Sequence, residues 1–343
     1  MTGELNRRAV ESSLMGDVLQ SVSRSFYLTL RALPAAVRPQ ISLAYLAARA
    51  ADTVADTDLV PVERRLEVLQ ALRNRIRHCS EPMPNLSEFL TSSGQSPERR
   101  LLTSLEDILC WLDRLPHDDQ KRVRQVLDMI ASGQCIDLQR FGHGDGVQLS
   151  SLADDEELDD YTYRVAGCVG EFWTKMCRAH VFPRVVLDDA VLLAEGIRYG
   201  KGLQLINILR DLPQDLQRGR CYLPKKRLAT LGLSPEDLRN PASYSRFRPV
   251  YRHFLVLAEE HLRAGWFYTN RIPWRCLRVR LACSWPVLIG LRTLHELGRR
   301  NILVGGPSVK ISRGEVRLIL LRSVISYPLP SAWRSLARFA NLE

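Results

Sequence analysis

Apolar residues recur at every third or fourth position through most of the chain, and no stretch alternates apolar with polar residues for long enough to argue for a strand. Residues 9–31 carry the stripe Val10, Leu14, Val18 and Val22, and residues 35–56 carry Val37, Ile41, Leu43, Ala44, Leu46 and Ala47. The alanines give the second of these helices small faces that let a neighbour approach closely. Residues 61–78 open on Pro61, whose missing N–H is harmless in a first turn, and continue through Leu66, Leu69 and Leu72. The same periodicity predicts helices over 98–113, 117–135, 151–180, 188–215, 234–238, 246–271, 275–300 and 314–326. Stripes of this kind are buried by packing helix on helix, so the expected fold is all-α, with roughly a dozen helices around one core.

At 343 residues the chain has length enough for two domains. No repeat, low-complexity tract or shift in composition marks a boundary, however, and Pro and Gly gather only near 80–97, 142–146 and 305–307, which read as loops within one domain. The first residues lack the apolar run of a signal peptide, and no window approaches a membrane-spanning length of apolar residues. Eight cysteines show neither a CxxC pair nor zinc-type spacing, which is the pattern of buried thiols in a reducing cytoplasm. The net charge of +10 is uneven. Between 299 and 338, Arg299, Arg300, Lys310, Arg313, Arg317, Arg322, Arg334 and Arg338 face a single acid, Glu315. With no aromatic-basic stacking motif or nucleic-acid module, phosphorylated substrates or anionic lipid headgroups suit this charge better than nucleic acid.

Two segments carry the chemistry: Asp52-Thr53-Val54-Ala55-Asp56 and Asp211-Leu212-Pro213-Gln214-Asp215. Residues four apart share a helical face, about 6 Å apart along the axis. Two carboxylates there repel, at a cost of roughly 0.2–0.5 kcal/mol in a plain helix. Hard divalent cations such as Mg²⁺ offset that repulsion and are often shared with a diphosphate. Helical spacing continues the polar faces backwards, through Tyr45 and Arg49 for the first pair and through Gln204 and Asn207 for the second. Solvated faces favour Lys and Glu over Asn, Gln and Asp, so these read as polar walls inside an apolar bundle. Arg210 and Arg220 flank the second pair and Arg24 lies upstream of the first; guanidinium groups grip phosphate oxygens two at a time. Gly142-His143-Gly144-Asp145-Gly146 is not a dinucleotide-binding GxGxxG, since it follows a helix. The acidic run from Asp154 to Asp160 suits a helix N-terminus.

Together, Ser23-Arg24-Ser25-Phe26, Asp52-Thr53-x-x-Asp56, Tyr161-Thr162-Tyr163-Arg164-Val165-Ala166-Gly167-Cys168-Val169-Gly170, Gln204-Leu205-Ile206-Asn207-Ile208-Leu209-Arg210-Asp211 and Arg218-Gly219-Arg220-Cys221-Tyr222-Leu223-Pro224 resemble the squalene/phytoene synthase family from about residue 20 to 320. The resemblance implies an isoprenoid-synthase helical bundle with a central active-site cavity: an N-terminal extension over 1–20, a catalytic domain over 21–326 and a basic amphipathic tail over 327–343. It implies that Asp52, Asp56, Asp211 and Asp215 bind Mg²⁺, and that Arg24, Arg49, Arg210 and Arg220 contact diphosphate oxygens beside Gln204 and Asn207. Tyr161 and Tyr45 would face the reacting carbons.

Family members join two prenyl diphosphates head to head through a cyclopropyl intermediate; one branch then reduces the product with NADPH and another loses a proton instead. Leu281-Ala282-Cys283-Ser284-Trp285-Pro286 and Val309-Lys310-Ile311-Ser312-Arg313 resemble the reductive branch, with Lys310, Arg313 and Asn207 toward the cofactor. The implied activity is thus condensation of two farnesyl diphosphates and NADPH-dependent reduction to squalene. The alternatives are a non-reductive dehydrosqualene or phytoene synthase, a presqualene diphosphate synthase, or a non-catalytic helical assembly factor. Ala55 and Gln214 stand where the family often has Glu, Thr162 where it often has Cys, and Ala282 where the reductive branch often has an aromatic nearby. At the C-terminus, residues 316–325 are expected to pack in the core and residues 331–341 to offer a surface for peripheral membrane contact.

Overall fold

The computed structural model describes residues 10–23, 26–92, 96–142, 149–304, 306 and 308–341. Apart from turns and loops they are helical, and among them the strands are a two-residue parallel pairing of β1 (Ser150–Ser151) with β2 (Arg220–Cys221), which is too short to register as alternation in the sequence. The all-α expectation holds. The chain forms two compact units, Met1–His143 with Lys175–Pro183, and Gly144–Thr174 with Arg184–Glu343.

The principal helices of the first unit are α1 (Arg38–Ala55), α2 (Val62–Arg77), α3 (Leu105–Leu112) and α4 (His117–Phe141). The apolar stripes meet as the periodicity requires: Leu43, Leu46, Val54, Leu69, Leu72, Leu109 and Val123 are all buried. α1 stops at Ala55, and the buried Arg65 closes that end by donating from Nη1 to the Ala55 carbonyl at 2.9 Å. A second buried arginine, Arg75, pairs with Asp113 at 2.7 Å.

The helix expected over 151–180 runs without a break from Asp155 to His180, in three parts. α5 (Asp155–Thr162) is capped by Asp154, a wide π turn covers Tyr163–Gly167, and α6 (Cys168–His180) follows. α7 (Asp189–Gln217) and α8 (Tyr244–Arg271) are the long struts, and α9 (Leu277–Gly298) packs on α8. α7 lies so close to the π turn and α6 that two glycines are obligatory. A Cβ on Gly200 would fall 2.1 Å from the Ala166 carbonyl oxygen, and one on Gly170 would fall 1.9 Å from that of Gly196. This contact presses the Tyr161–Gly170 block against the helix that carries the second aspartate pair.

The C-terminal expectation is reversed. α10 (Arg313–Ser326) starts with a reciprocal cap between Ser312 and Glu315 and turns only Ile319 and Ser323 fully inward; Leu318, Leu321, Val324 and Ile325 are exposed. α11 (Pro330–Asn341) instead buries its apolar stripe, with Trp333 0% and Leu336 4% exposed. The reason is a cation. Arg280 is buried and makes no ion pair among the described residues; its guanidinium lies 4.6 Å from the ring centre of Trp274, 5.2 Å from Trp333 and 5.8 Å from Tyr327. It donates to the carbonyls of Asn270 and Ile272, and Trp333 donates to the Asn270 side chain at 2.9 Å. Aromatic faces stabilise a desolvated cation, so the tail docks through Trp333.

Candidate active site

The first aspartate pair straddles the end of α1. Asp52 is in its last turn, and Asp56 caps it, donating its N–H to the Asp52 carbonyl at 2.8 Å. The carboxylates therefore sit at the negative end of the helix dipole, where anions are disfavoured. Gln134 of α4 donates from Nε2 to Asp52. Arg49, one turn back, reaches Asp52 at 4.0 Å and Glu98 at 3.7 Å, while its Nε is buried without a hydrogen-bond partner among the described residues. Tyr45, a further turn back, donates its hydroxyl to the Val22 carbonyl at 3.3 Å. Solvent reaches 44% of the Asp52 side chain. Even so, loss of hydration in this crowded corner and the charge of Asp56 push its carboxyl up from 3.8 to about 7, against the opposing pull of Arg49 and Gln134. A cation beside this pair would offset both the burial and the repulsion.

The second pair lies near the C-terminal end of α7, again on the negative side of a dipole. Gln204, Asn207, Asp211 and Asp215 follow one another along that helix, and Asn207 donates to the Gln204 side chain at 3.3 Å. Arg210 grips Asp211 with two nitrogens, Nε at 2.9 Å and Nη2 at 2.5 Å, and the Ser308 hydroxyl donates to the same carboxylate at 3.1 Å. Pro213, between the two aspartates, cannot bond back to the Leu209 carbonyl. The buried Tyr251 hydroxyl of α8 donates there instead, at 3.2 Å. The Gln214 Oε1 is buried without a partner. After α7, Gly219 takes φ +79°, a conformation side chains avoid, and turns the chain so that Arg220 enters β2 opposite Ser150.

Tyr161, at the end of α5, stacks on Tyr222 with ring centres 4.9 Å apart and planes at 23°. Tyr163 donates to Glu171 at 2.8 Å, and burial with that carboxylate pushes its hydroxyl up to about 12. It is thus a structural anchor of the π turn. Lys310 and Arg313 make no hydrogen bond or ion pair among the described residues; Lys310 lies two positions after Ser308, so the segment containing it is tied to Asp211. Arg24 lies outside the described residues.

Tyr45, Arg49, Asp52 and Asp56 are therefore one cluster, and Gln204, Asn207, Arg210, Asp211 and Asp215 another, with Tyr161 and Arg220 on neighbouring elements of the second unit. Gln134, Ser308 and Tyr222 were not singled out from sequence. Gln134 had left a trace, as a lone amide on the buried stripe of α4, and Tyr222 stood within a quoted motif without a role. Nothing local marks Ser308. Among the described residues no three His, Cys, Asp or Glu side chains converge, so each pair offers two carboxylates. Oxygen-only donors at dipole ends, one with a raised proton affinity, fit a hard cation such as Mg²⁺. The unpartnered Nε of Arg49 and the unpaired Lys310 and Arg313 fit phosphate oxygens.

The family model for squalene/phytoene synthases matches residues 19–315. The chain belongs to the squalene/phytoene synthase family. Its members are prenyltransferase-type enzymes. Among relatives, the squalene synthase of Saccharomyces cerevisiae is 25% identical over 311 residues, which is 90% of this chain but 66% of that protein; this chain thus spans just under two thirds of its length. The presqualene diphosphate synthase of Zymomonas mobilis is 29% identical over 312 residues, covering 90% of this chain and 91% of its own. The solved complex of TcSQS with the ligand BPH1237 superposes with a TM-score of 0.78 at 21% identity, over 97% of this chain and 90% of that one, which establishes a shared fold. Among the described residues no helix is long and apolar enough to cross a membrane.

Proposed function

We propose that this chain joins two farnesyl diphosphates head to head, through presqualene diphosphate, and reduces the product to squalene with hydride from NADPH. The observation that carries the reading is the pair of aspartate clusters at helix C-termini, each with an arginine against the first carboxylate. Asp52, Asp56, Asp211 and Asp215 would hold Mg²⁺, which would supply Lewis-acid stabilisation to a departing diphosphate. Arg49 offers its unpartnered Nε to a diphosphate oxygen, and Arg210 and Arg220 supply further guanidinium donors. Gln204 and Asn207 orient the polar wall. The stacked rings of Tyr161 and Tyr222 would offer π faces to positive charge on an allylic carbon, and the Tyr161 hydroxyl would accept or relay a proton. Lys310 and Arg313 are assigned to NADPH phosphate. Retention of all four aspartates argues against a non-catalytic assembly factor, since carboxylate repulsion without a cation only destabilises.

A second reading has its own support. A presqualene diphosphate synthase, that of Zymomonas mobilis, is among the relatives, at 29% identity. Ala282 also leaves the hydride pocket without the aromatic of the reductive branch. On this reading the chain releases presqualene diphosphate. Incubation with farnesyl diphosphate and Mg²⁺, with and without NADPH, followed by mass spectrometry decides between them. Squalene formed only with NADPH supports the first; presqualene diphosphate accumulating in both supports the second. A desaturated C30 hydrocarbon regardless of NADPH assigns the chain to the dehydrosqualene branch. No diphosphate release from farnesyl or geranylgeranyl diphosphate refutes all three.

A further inference from the structure

A cleft between α8 and α9 encloses about 450 Å³, within the range of roughly 300–1,000 Å³ that small-molecule sites occupy. Helical spacing builds its α8 wall: Arg248 and Arg252 are one turn apart, and Leu255 and Val256 continue the same face. From α9 come Leu294 and His295, and Arg299 joins the lining just after that helix ends at Gly298. Arg248, Arg252 and Arg299 are exposed and make no hydrogen bond or ion pair among the described residues. Like charges one turn apart repel, and here nothing offsets them. Other arginines of these two helices are matched: Arg263 pairs with Glu259 at 2.7 Å, Arg271 with Glu195 at 2.8 Å and Arg292 with Glu315 at 3.0 Å. Glu259, the acid in the lining, is thereby already engaged. The hydroxyls of Tyr244 and Tyr251 also line the cleft but are committed to the carbonyls of Arg300, at 2.7 Å, and Leu209, at 3.2 Å. The His295 Nε2 is buried with no hydrogen-bond partner among the described residues. What is left to meet a ligand is therefore three guanidiniums and an imidazole nitrogen. The cleft shares no residue with the aspartate clusters or with Lys310 and Arg313.

We propose that this cleft is a second anion site that takes a small organic diphosphate, its phosphates held by Arg248, Arg252 and Arg299 and its carbon skeleton lying on Leu255, Val256 and Leu294. Charge sets the number of phosphates. A phosphate monoester carries about −1.5 to −2 near pH 7, so three unmatched guanidiniums call for two linked phosphates and not one. Guanidinium groups meet such oxygens with paired donors. An inorganic ion would leave the apolar wall bare, and a carboxylate would bring a single charge. Carboxylate clusters hold a diphosphate only through a divalent cation, whereas this cleft supplies its own positive charge. Nucleoside and prenyl diphosphates share the chemistry, and the probes below separate them. The proposal does not depend on which product the aspartate clusters make.

The test is isothermal titration calorimetry of the full chain in EDTA at about 0.05 M salt, where charge is weakly screened, with ADP, geranyl diphosphate and inorganic diphosphate as probes. At least one organic probe is expected to bind saturably and about tenfold more tightly than inorganic diphosphate. ADP alone marks a nucleotide site, geranyl diphosphate alone a prenyl site, and both together a site that reads the diphosphate. Arg248→Gln with Arg252→Gln is expected to weaken that binding at least about tenfold, and Arg299→Gln about fivefold. Gly298→Leu tests shape without touching charge. A Cβ there would meet the Leu255 Cδ1 at 3.9 Å, an ordinary contact, and the rest of the side chain occupies the cleft and is expected to weaken binding about tenfold. Arg49→Gln with Arg210→Gln, in the aspartate clusters, is expected to leave it unchanged. The substituted cleft residues are exposed, so melting should not move, and the charge and shape variants report separately if one fails to fold. Four results overturn the proposal: no saturable binding of either organic probe, inorganic diphosphate binding as tightly as both, binding unchanged by the arginine or Gly298 variants, or binding lost in Arg49→Gln with Arg210→Gln.

Discussion

Pro213 sits between the two aspartates of the second pair, and its consequence can be measured by a double-mutant cycle with Tyr251. Without an N–H at 213, the Leu209 carbonyl loses its ordinary helical donor, and the Tyr251 hydroxyl takes that place at 3.2 Å. Leu209 is 0% and Tyr251 1% exposed, so water is a poor substitute. Tyr251→Phe keeps the ring and its packing on Phe247 at 5.6 Å, and removes only the donor. A buried acceptor left unmet costs about 1–2 kcal/mol. In a Pro213→Ala background the alanine N–H satisfies Leu209, and the same Tyr251→Phe change should cost under about 0.5 kcal/mol. The expected coupling is therefore about 1 kcal/mol, and the large gain in helix propensity from removing proline cancels in the cycle. Urea unfolding of the four proteins, followed by circular dichroism, measures it. Effects that add to within about 0.3 kcal/mol would mean that Tyr251 does not stand in for the missing N–H, and the reasoning fails.

Gly170→Ala should destabilise the second unit by more than about 3 kcal/mol, because the new methyl meets backbone and not a yielding side chain; loss of a cooperative melt or of soluble yield reports it. Asp52, with its carboxyl raised to about 7, should release about half a proton when Mn²⁺ or Mg²⁺ binds at pH 7 and almost none above pH 9, measured by calorimetry in buffers of different ionisation enthalpy. The linked sign is that the metal-free protein loses stability as pH rises from about 4 through about 7, because the folded state there holds a proton the unfolded chain does not; a metal-free melting temperature that climbs across that window refutes the assignment. Asp52→Asn or Asp211→Asn should abolish diphosphate release, whereas Lys310→Ala should spare formation of presqualene diphosphate and weaken reduction. Loss of both stages in Lys310→Ala removes it from the cofactor site.

Much of this protein was legible without coordinates. The three-to-four-residue period determined an all-helical fold, because a helix with one apolar stripe has few other ways to bury it. The spacing of Asp52, Asp56, Asp211 and Asp215, with Arg49, Arg210, Gln204 and Asn207 at helical steps, marked the candidate site, because spacing within one helix is local geometry. The ends of α1 and α7 fall within two residues of those expected at 56 and 215, so the place of both aspartate pairs at negative helix ends was still local information, unlike the pairings across the chain. What depended on two distant segments meeting was not legible. Gln134 on Asp52, Ser308 on Asp211 and Tyr222 under Tyr161 are separated from their partners by 82, 97 and 61 positions, and no local pattern encodes such pairings. The C-terminus is the plainest case. In sequence α10 looked like core and α11 like surface, since apolar density is all that a single helix displays. The tertiary structure decided the reverse: a buried Arg280 that makes no ion pair among the described residues needs aromatic faces, Trp333 supplies one, and the helix that follows the cage is drawn inward while the more apolar helix before it is left facing out.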